Sequence, residues 1–365
     1  MSSSDQMYKK WNILTVSVIV TGIVFLGIAV FIIDPYWHFH GPIEGVSYRL
    51  GNGRYMNDGI LRNYEYDAVI IGTSMCENFK TSQWDELSGN ITVKVPFFGA
   101  SYKELHDTLI RAFSYNDEIK TIIWGIDYNQ LNTQWDNMKY SDYPYYLYDD
   151  NFINDGNYLW NKTVLLRGML PDLAYTIMGK ASMGFDEYNS WSEKSGRDAV
   201  LKSYQPAEGD GQQKVLSEEQ KIQIEENVKR NICDLIETHP KTEFYFFFTP
   251  YSIAYWDQLY YSGNLKSQIE ATYIFAEQLL KYDNVKLFCF FNDYEMICNL
   301  NNYVDAGHYT GAINDRILQW MAGEQYLLTR ENYQETIAGI EKFYVDFDYP
   351  EYWMDILEDG EDTKQ

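Results

Sequence analysis

The stretch Asp67-Ala68-Val69-Ile70-Ile71-Gly72-Thr73-Ser74-Met75-Cys76-Glu77-Asn78-Phe79 decides how the rest of the chain is read. A short, continuously apolar, β-branched run enters a Gly-Thr-Ser turn and leaves in a helical pattern near Met75 to Leu87. Continuous apolarity marks a strand buried on both faces, as in a parallel sheet. A strand, turn and helix in this order hold a serine hydroxyl at the sheet edge and aim the first helical N–H groups at whatever it attacks. The same tripeptide also suits an ordinary βα turn with a capping serine.

Working outward, strand and helix signals alternate. Thr92-Val93-Lys94-Val95 reads as a second strand and leads into the loop Pro96-Phe97-Phe98-Gly99. Ser101 and Glu104 make a capping-box pattern ahead of Leu105, Leu109 and Phe113, which share one helical face. Thr121 to Gly125, Phe244 to Phe248 and Val285 to Phe290 are further buried-strand signals. Helices are expected from Ser217, where Ser217 and Gln220 form another capping box, near Leu265 to Leu280, and over Ala312 to Met321. The fold class is α/β, a doubly wound, mostly parallel sheet. Ligands gather beyond the carboxyl ends of such strands, where Ser74, Gly99, Asp127 and Thr249 all fall.

Residues 129–210 interrupt the alternation with Tyr, Trp, Asn, Asp and Gly, as in Tyr143-Pro144-Tyr145-Tyr146. They read as a Tyr-rich insertion, either a lid that stacks on sugar rings or a cap with its own aromatic core. Before the sheet, Trp11 to Ile33 carries no charged side chain and is long enough to cross a bilayer as a helix. Lys9 and Lys10 precede it and Asp34 follows, which places the N-terminus in the cytoplasm and the remainder outside the plasma membrane. Tyr36-Trp37-His38-Phe39-His40 suits an interfacial aromatic belt, so residues 1–33 are read as an uncleaved signal anchor. Residues 34–66 form a connector, 67–321 the main domain and 322–365 an acidic tail, with a helix pattern near Glu331 to Phe343, that packs on the domain and then frays.

Composition narrows the function. The 365 residues carry a formal net charge of −24, which argues against nucleic acid as a partner, since phosphate backbones are bound by clustered Lys and Arg. An acidic surface also favours a neutral or zwitterionic glycan over a teichoic acid as substrate. Cys76, Cys233, Cys289 and Cys298 match no zinc spacing and read as buried thiols, with Cys289 and Cys298 as the one pair that could bridge. His38 and His40 fit the membrane interface better than a metal pair, and no pattern requires a metal or organic cofactor.

The partner of Ser74 is Asn302-Tyr303-Val304-Asp305-Ala306-Gly307-His308-Tyr309. An Asp and a His three residues apart, after the last parallel strand, can set an imidazole beside a serine while the carboxylate orients its other nitrogen. Gly72-Thr73-Ser74, the Gly99 loop and Asp305-x-x-His308, in this order, resemble the SGNH/GDSL hydrolase superfamily. With the single anchor, the chain is similar to the branch containing the D-alanyl transfer protein of lipoteichoic acid synthesis and the alginate and peptidoglycan O-acetyltransferases. The resemblance covers roughly residues 67–321 and rests on two short blocks.

It implies a flavodoxin-like three-layer fold in which Ser74 is the nucleophile, His308 the base and Asp305 its orienting partner. It also implies that the Gly99 N–H joins that of Ser74 in an oxyanion hole. The third block departs from the family, with Gly125-Ile126-Asp127-Tyr128 standing where many members have Gly-x-Asn-Asp, so Asp127 and the nearby Asn129 become candidates for that position. The expected function is an extracytoplasmic serine O-acyltransferase that moves an acyl group, acetyl in the first instance, to a cell-envelope or exported glycan. A membrane-bound O-acyltransferase is the implied donor. A serine esterase or deacetylase of the same fold is the alternative, and a non-catalytic glycan-binding or scaffold component is a second.

Overall fold

The computed structural model describes residues 3–139, 143–187 and 194–362. They fall into two compact units, one from residues 3–64 and 143–184 and the other from 65–139, 185–187 and 194–362. The insertion expected over 129–210 is therefore divided. Its middle folds with the N-terminal residues, and its described flanks fold with the sheet.

In the first unit, helix α1 (Ser3–Ile33) is long and apolar enough to cross a membrane and leaves side chains such as Val18 and Phe25 exposed. Asp34 stops it. Its Oδ1 accepts from the His38 N–H at 2.9 Å and the Tyr158 hydroxyl at 2.8 Å, and its Oδ2 accepts from the N–H groups of Phe39 and His40. A carboxylate with four donors folds the chain into a tight turn immediately after the helix. Tyr36, Trp37 and His38 are consequently interior residues, which corrects the expectation of an aromatic belt for this segment. His38 Nε2 lies 2.9 Å from Asp155 Oδ1. The connector also gains a helix, α2 (Gly53–Asn63), which buries Met56, Ile60 and Leu61. It packs so closely on the Asp34 turn that a Cβ on Gly59 would lie 2.1 Å from the Tyr36 carbonyl oxygen.

The second unit is built on a six-stranded sheet in the order β2-β1-β3-β4-β5-β6. β1 (Ala68–Ile71), β2 (Thr92–Lys94), β3 (Thr121–Ile126), β4 (Glu243–Phe248) and β5 (Val285–Cys289) are parallel, and β6 (Leu327–Leu328) runs antiparallel to β5. Every residue of β1 and β3 is buried, as parallel strands covered on both faces require. Helix α3 (Thr81–Ser88) follows the Ser74 turn, and α4 (Tyr102–Tyr115) and α5 (Glu218–Val228) both carry the capping boxes legible in the sequence. α6 (Leu265–Leu279) precedes β5 and α7 (Gly311–Ala322) follows the Asp305-x-x-His308 loop.

Residues 322–362 carry the helix expected near Glu331 to Phe343, and a strand and a second helix besides. They supply β6 and then α8 (Tyr333–Asp346) and α9 (Tyr349–Asp362), with Ile337, Ile340 and Tyr344 buried. Tyr344 stacks on Trp256 with centroids 3.8 Å apart and donates to the Phe291 carbonyl at 2.8 Å. All four cysteines are free, and Cys289 and Cys298 are not bridged.

Candidate active site

β1 delivers the chain to Gly72, whose φ of 151° is reserved for glycine. A Cβ there would lie 2.5 Å from Cys76 Sγ and 3.3 Å from the Gly125 carbonyl oxygen, so the turn must close without one. Thr73 caps a single 3₁₀ turn, Ser74–Cys76, through the Met75 N–H. The helix expected to run from Met75 to Leu87 begins only at Thr81. Lys94 supplies a physical reason: its buried ammonium donates to the carbonyls of Glu77 at 2.6 Å and Phe79 at 2.5 Å, acceptors that a continuous helix needs for its own N–H groups.

The other half of the site is the loop between β5 and α7. Tyr303 and Tyr309 form an isolated antiparallel bridge across its neck, and the Val304 N–H donates to the His308 carbonyl at 2.8 Å. The loop is tied to the residues after β4 by Ser252 Oγ donating to Ala306 and by the Tyr303 hydroxyl donating to Pro250. The Tyr309 hydroxyl then reaches the Met75 carbonyl at 2.8 Å, tying the loop to the Ser74 turn.

These supports bring three side chains into one chain of hydrogen bonds. Ser74 Oγ lies 2.9 Å from His308 Nε2, and His308 Nδ1 lies 2.8 Å from Asp305 Oδ2. The second Asp305 oxygen accepts from the N–H groups of Gly307 and His308, both at 2.8 Å, which fixes the carboxylate relative to the ring. Burial pulls the His308 pKa down, but the bond to Asp305 and the charges of Asp305, Asp127 and Glu77 outweigh it and leave the imidazole above its ordinary value. Burial likewise pushes Asp305 up, and its bond to His308 more than reverses that.

Gly99 stands in a tight turn after β2 at φ 60°, with the Ala100 N–H donating to Phe97 and the Phe97 N–H to Gly72. The turn therefore runs beside the segment that carries Ser74. Among the described residues, neither the Ser74 N–H nor the Gly99 N–H has an acceptor.

The remaining sequence candidates lie elsewhere. Asp127 is fully enclosed: its carboxylate accepts from the hydroxyls of Thr73 and Tyr251 and, at 3.2 Å, from Thr249. The single Thr249 hydroxyl proton is shared between Asp127 and the Ile126 carbonyl, which lies 3.1 Å away, so the hydroxyl is spent inside the protein. Both are corrected from substrate contacts to buried supports, because a carboxylate surrounded by three hydroxyls leaves no room for a ligand. Asn129 is exposed on the helical turn Tyr128–Leu131.

Thr73, Tyr251 and Lys94 also support the site, through the Asp127 carboxylate and the carbonyls after Ser74. Lys94 left a signal in the sequence as the one charge in an otherwise apolar strand. Burial pulls its amine down to about 7, more than the nearby Asp186 and Glu77 charges restore. Lys94→Met, which removes both carbonyl contacts, is expected to slow modification of Ser74 by a fluorophosphonate about 10- to 100-fold, the scale of a misplaced reacting group. An unchanged labelling rate in a folded variant would show that the turn holds itself.

No family model matches the chain, and no curated protein matches it. Among solved structures, a match is one described as a candidate platelet activating factor from Streptococcus pneumonia, 13% identical, covering 75% of this chain and 91% of that one, with a TM-score of 0.38. At that score the likeness bears on neither fold nor function.

Proposed function

We propose that this chain is a serine acyltransferase of the SGNH/GDSL type, held by α1 at the plasma membrane with its catalytic unit outside, that moves an acyl group to a glycan hydroxyl. One observation carries the reading: Ser74, His308 and Asp305 form an ordered hydrogen-bonded chain beyond the carboxyl ends of a parallel sheet. His308 Nε2 takes the proton of Ser74 Oγ as Oγ bonds to the acyl carbon. The tetrahedral oxyanion lies against the N–H groups of Ser74 and Gly99. It collapses to the Ser74 ester as His308 returns the proton to the leaving oxygen. An acceptor hydroxyl then repeats the steps in reverse and carries the acyl group away. The donor is an activated acyl group from a membrane-bound O-acyltransferase.

Esterase chemistry is the second reading, and the exposure of the site favours it: 27% of the His308 side chain is open to solvent. Water can therefore compete with the acceptor. A fluorophosphonate probe tests the shared step, with the wild type labelled and Ser74→Ala silent. Labelling of neither protein would move the chain to the scaffold class. Acetyl transfer from p-nitrophenyl acetate to a neutral oligosaccharide, measured against acetate release, then separates transferase from esterase.

The pH profile follows from the charge around His308. The imidazole must be neutral to accept the Ser74 proton, and its pKa lies above the ordinary value of about 6.5. Activity is therefore expected to rise with pH through an inflection above that value. Asp305→Asn removes the carboxylate that holds the imidazolium, and the inflection should move down as the maximum rate falls. An inflection that stays in place would break the assignment of His308 as the base.

A further inference from the structure

The first unit holds a cavity of about 530 Å³ that the acyl-transfer chemistry does not use. Its lining includes Tyr36, Arg49, Asn52, Arg167, Gly168 and Asp172. Two of these are interior polar groups with unmet bonding capacity. Asp172 is only 2% exposed, and while one oxygen accepts the Arg49 backbone N–H at 3.1 Å, Oδ2 has no partner among the described residues. Tyr36 is 3% exposed, and its hydroxyl has none either. A buried polar atom without a partner is costly, so the Asp172 oxygen and the Tyr36 hydroxyl are two points in one cavity at which a ligand's polar atoms would gain a hydrogen bond.

The arginine side chains nearby act on Asp172 and Tyr36 through their charge alone. Arg49 and Arg167 are exposed, and among the described residues neither guanidinium donates a hydrogen bond or pairs with a carboxylate, although Arg49 lies over the Tyr175 ring at 5.5 Å. In a chain with 53 acidic and 29 basic residues, two unpaired arginines at one cavity stand out. The walls are tightly built. Arg167 and Gly168 sit in a π-helical stretch, Val164–Met169, a feature that often accompanies functional sites. A Cβ on Gly168 would lie 2.9 Å from Pro35 and 3.1 Å from the Tyr36 ring, so the chain here approaches as only glycine allows.

Rim and floor ask for different ends of one molecule. Two guanidinium forks match the oxygens of a phosphate, and an enclosed carboxylate oxygen matches a hydroxyl donor. Burial pushes Asp172 up to about 7, so a donor that reaches it would restore its ionised form near neutral pH. The cavity's volume lies in the range of small-ligand pockets. Its place along the chain also counts: Tyr36 comes three residues after the last residue of α1.

We infer that the cavity lined by Tyr36, Arg49, Arg167 and Asp172 binds a phosphate ester bearing a hydroxyl head, the chemistry shared by a phosphatidylglycerol headgroup and free glycerol phosphate. This assignment stands apart from the Ser74 reading, and its lipid arm rests on α1 as a membrane span. The arginines hold the phosphate, and the head hydroxyl donates to Asp172 Oδ2.

The test uses the full chain in detergent micelles and titration calorimetry with dihexanoyl phosphatidylglycerol, dihexanoyl phosphatidylcholine and sn-glycerol 3-phosphate. The wild type is expected to bind the glycerol lipid saturably and at least tenfold more tightly than the choline lipid. Arg49→Gln with Arg167→Gln should weaken it at least tenfold. Arg167→Lys, which keeps the charge and loses the fork, should fall between. Arg230→Gln, a change on a different surface that already meets Glu226 and Trp135, should leave it unchanged. Glycerol phosphate bound as tightly as the lipid assigns a soluble ligand, and tighter lipid binding assigns the membrane as the source. Equal affinity in wild type and the double variant, or no saturable binding of any probe, overturns the inference.

Discussion

His308→Ala is expected to lower turnover of an activated acetyl ester on the order of 10⁴- to 10⁶-fold, the loss seen when one member of a serine–histidine pair is removed. The size follows from what the hydroxyl loses. At 2.9 Å from Ser74 Oγ, Nε2 is the only imidazole bonded to that oxygen among the described residues, and a serine hydroxyl without a base is a weak nucleophile near neutral pH. Ser74→Ala should match this loss, and the double variant should be no slower, because the two residues act in one step. Asp305→Ala should cost less, since the His308 backbone keeps its place through the Val304 N–H and the Tyr303–Tyr309 bridge and Nε2 keeps Ser74, while the ring loses its orienting charge. Steady-state rates on purified, folded variants give the comparison. A His308→Ala enzyme within tenfold of wild type would remove His308 from the mechanism.

Asp127→Ala is expected to lower the free energy of unfolding of the second unit by about 3–5 kcal/mol. The substitution leaves the hydroxyls of Thr73 and Tyr251 without an acceptor in an enclosed site, while Thr249 keeps its bond to Ile126. It also empties the volume the carboxyl filled. Thr73 precedes Ser74, so reactivity should fall with stability. Asp127→Asn keeps one acceptor oxygen and should lose less. Its pH behaviour separates it further. Burial raises the Asp127 pKa despite the three hydroxyl bonds, so the wild type is favoured at low pH and loses that contribution as pH rises through the folded-state value. The Asn variant should lack this slope. Urea melts at several pH values would read both effects, and an Asp127→Ala midpoint equal to wild type would show that the network carries no load.

The two roles of acidic residues at this site explain what could be foreseen. Asp305 and His308 were legible because their chemistry is local: a carboxylate three residues before an imidazole in a loop can reach it. Asp127 was legible as a residue at the end of a strand, yet its role was not. Whether that carboxylate meets substrate or protein depends on Thr73, Thr249 and Tyr251, which arrive from the ends of two other segments.

Sequence alone determined the strands β1 to β5 and the helix starts at Ser101 and Ser217, since burial on both faces and capping are written in neighbouring residues. It also determined which residue types could form a nucleophile, a base and an orienting acid. Tertiary structure decided the rest. It divided the insertion between two units, joined the two-residue strand β6 to β5, made the Tyr36–His38 turn interior and delayed the expected helix to Thr81 by giving the Glu77 and Phe79 carbonyls to Lys94. Each of these outcomes rests on hydrogen bonds and contacts between residues distant in the chain, whose free energy appears only once the fold has brought them together.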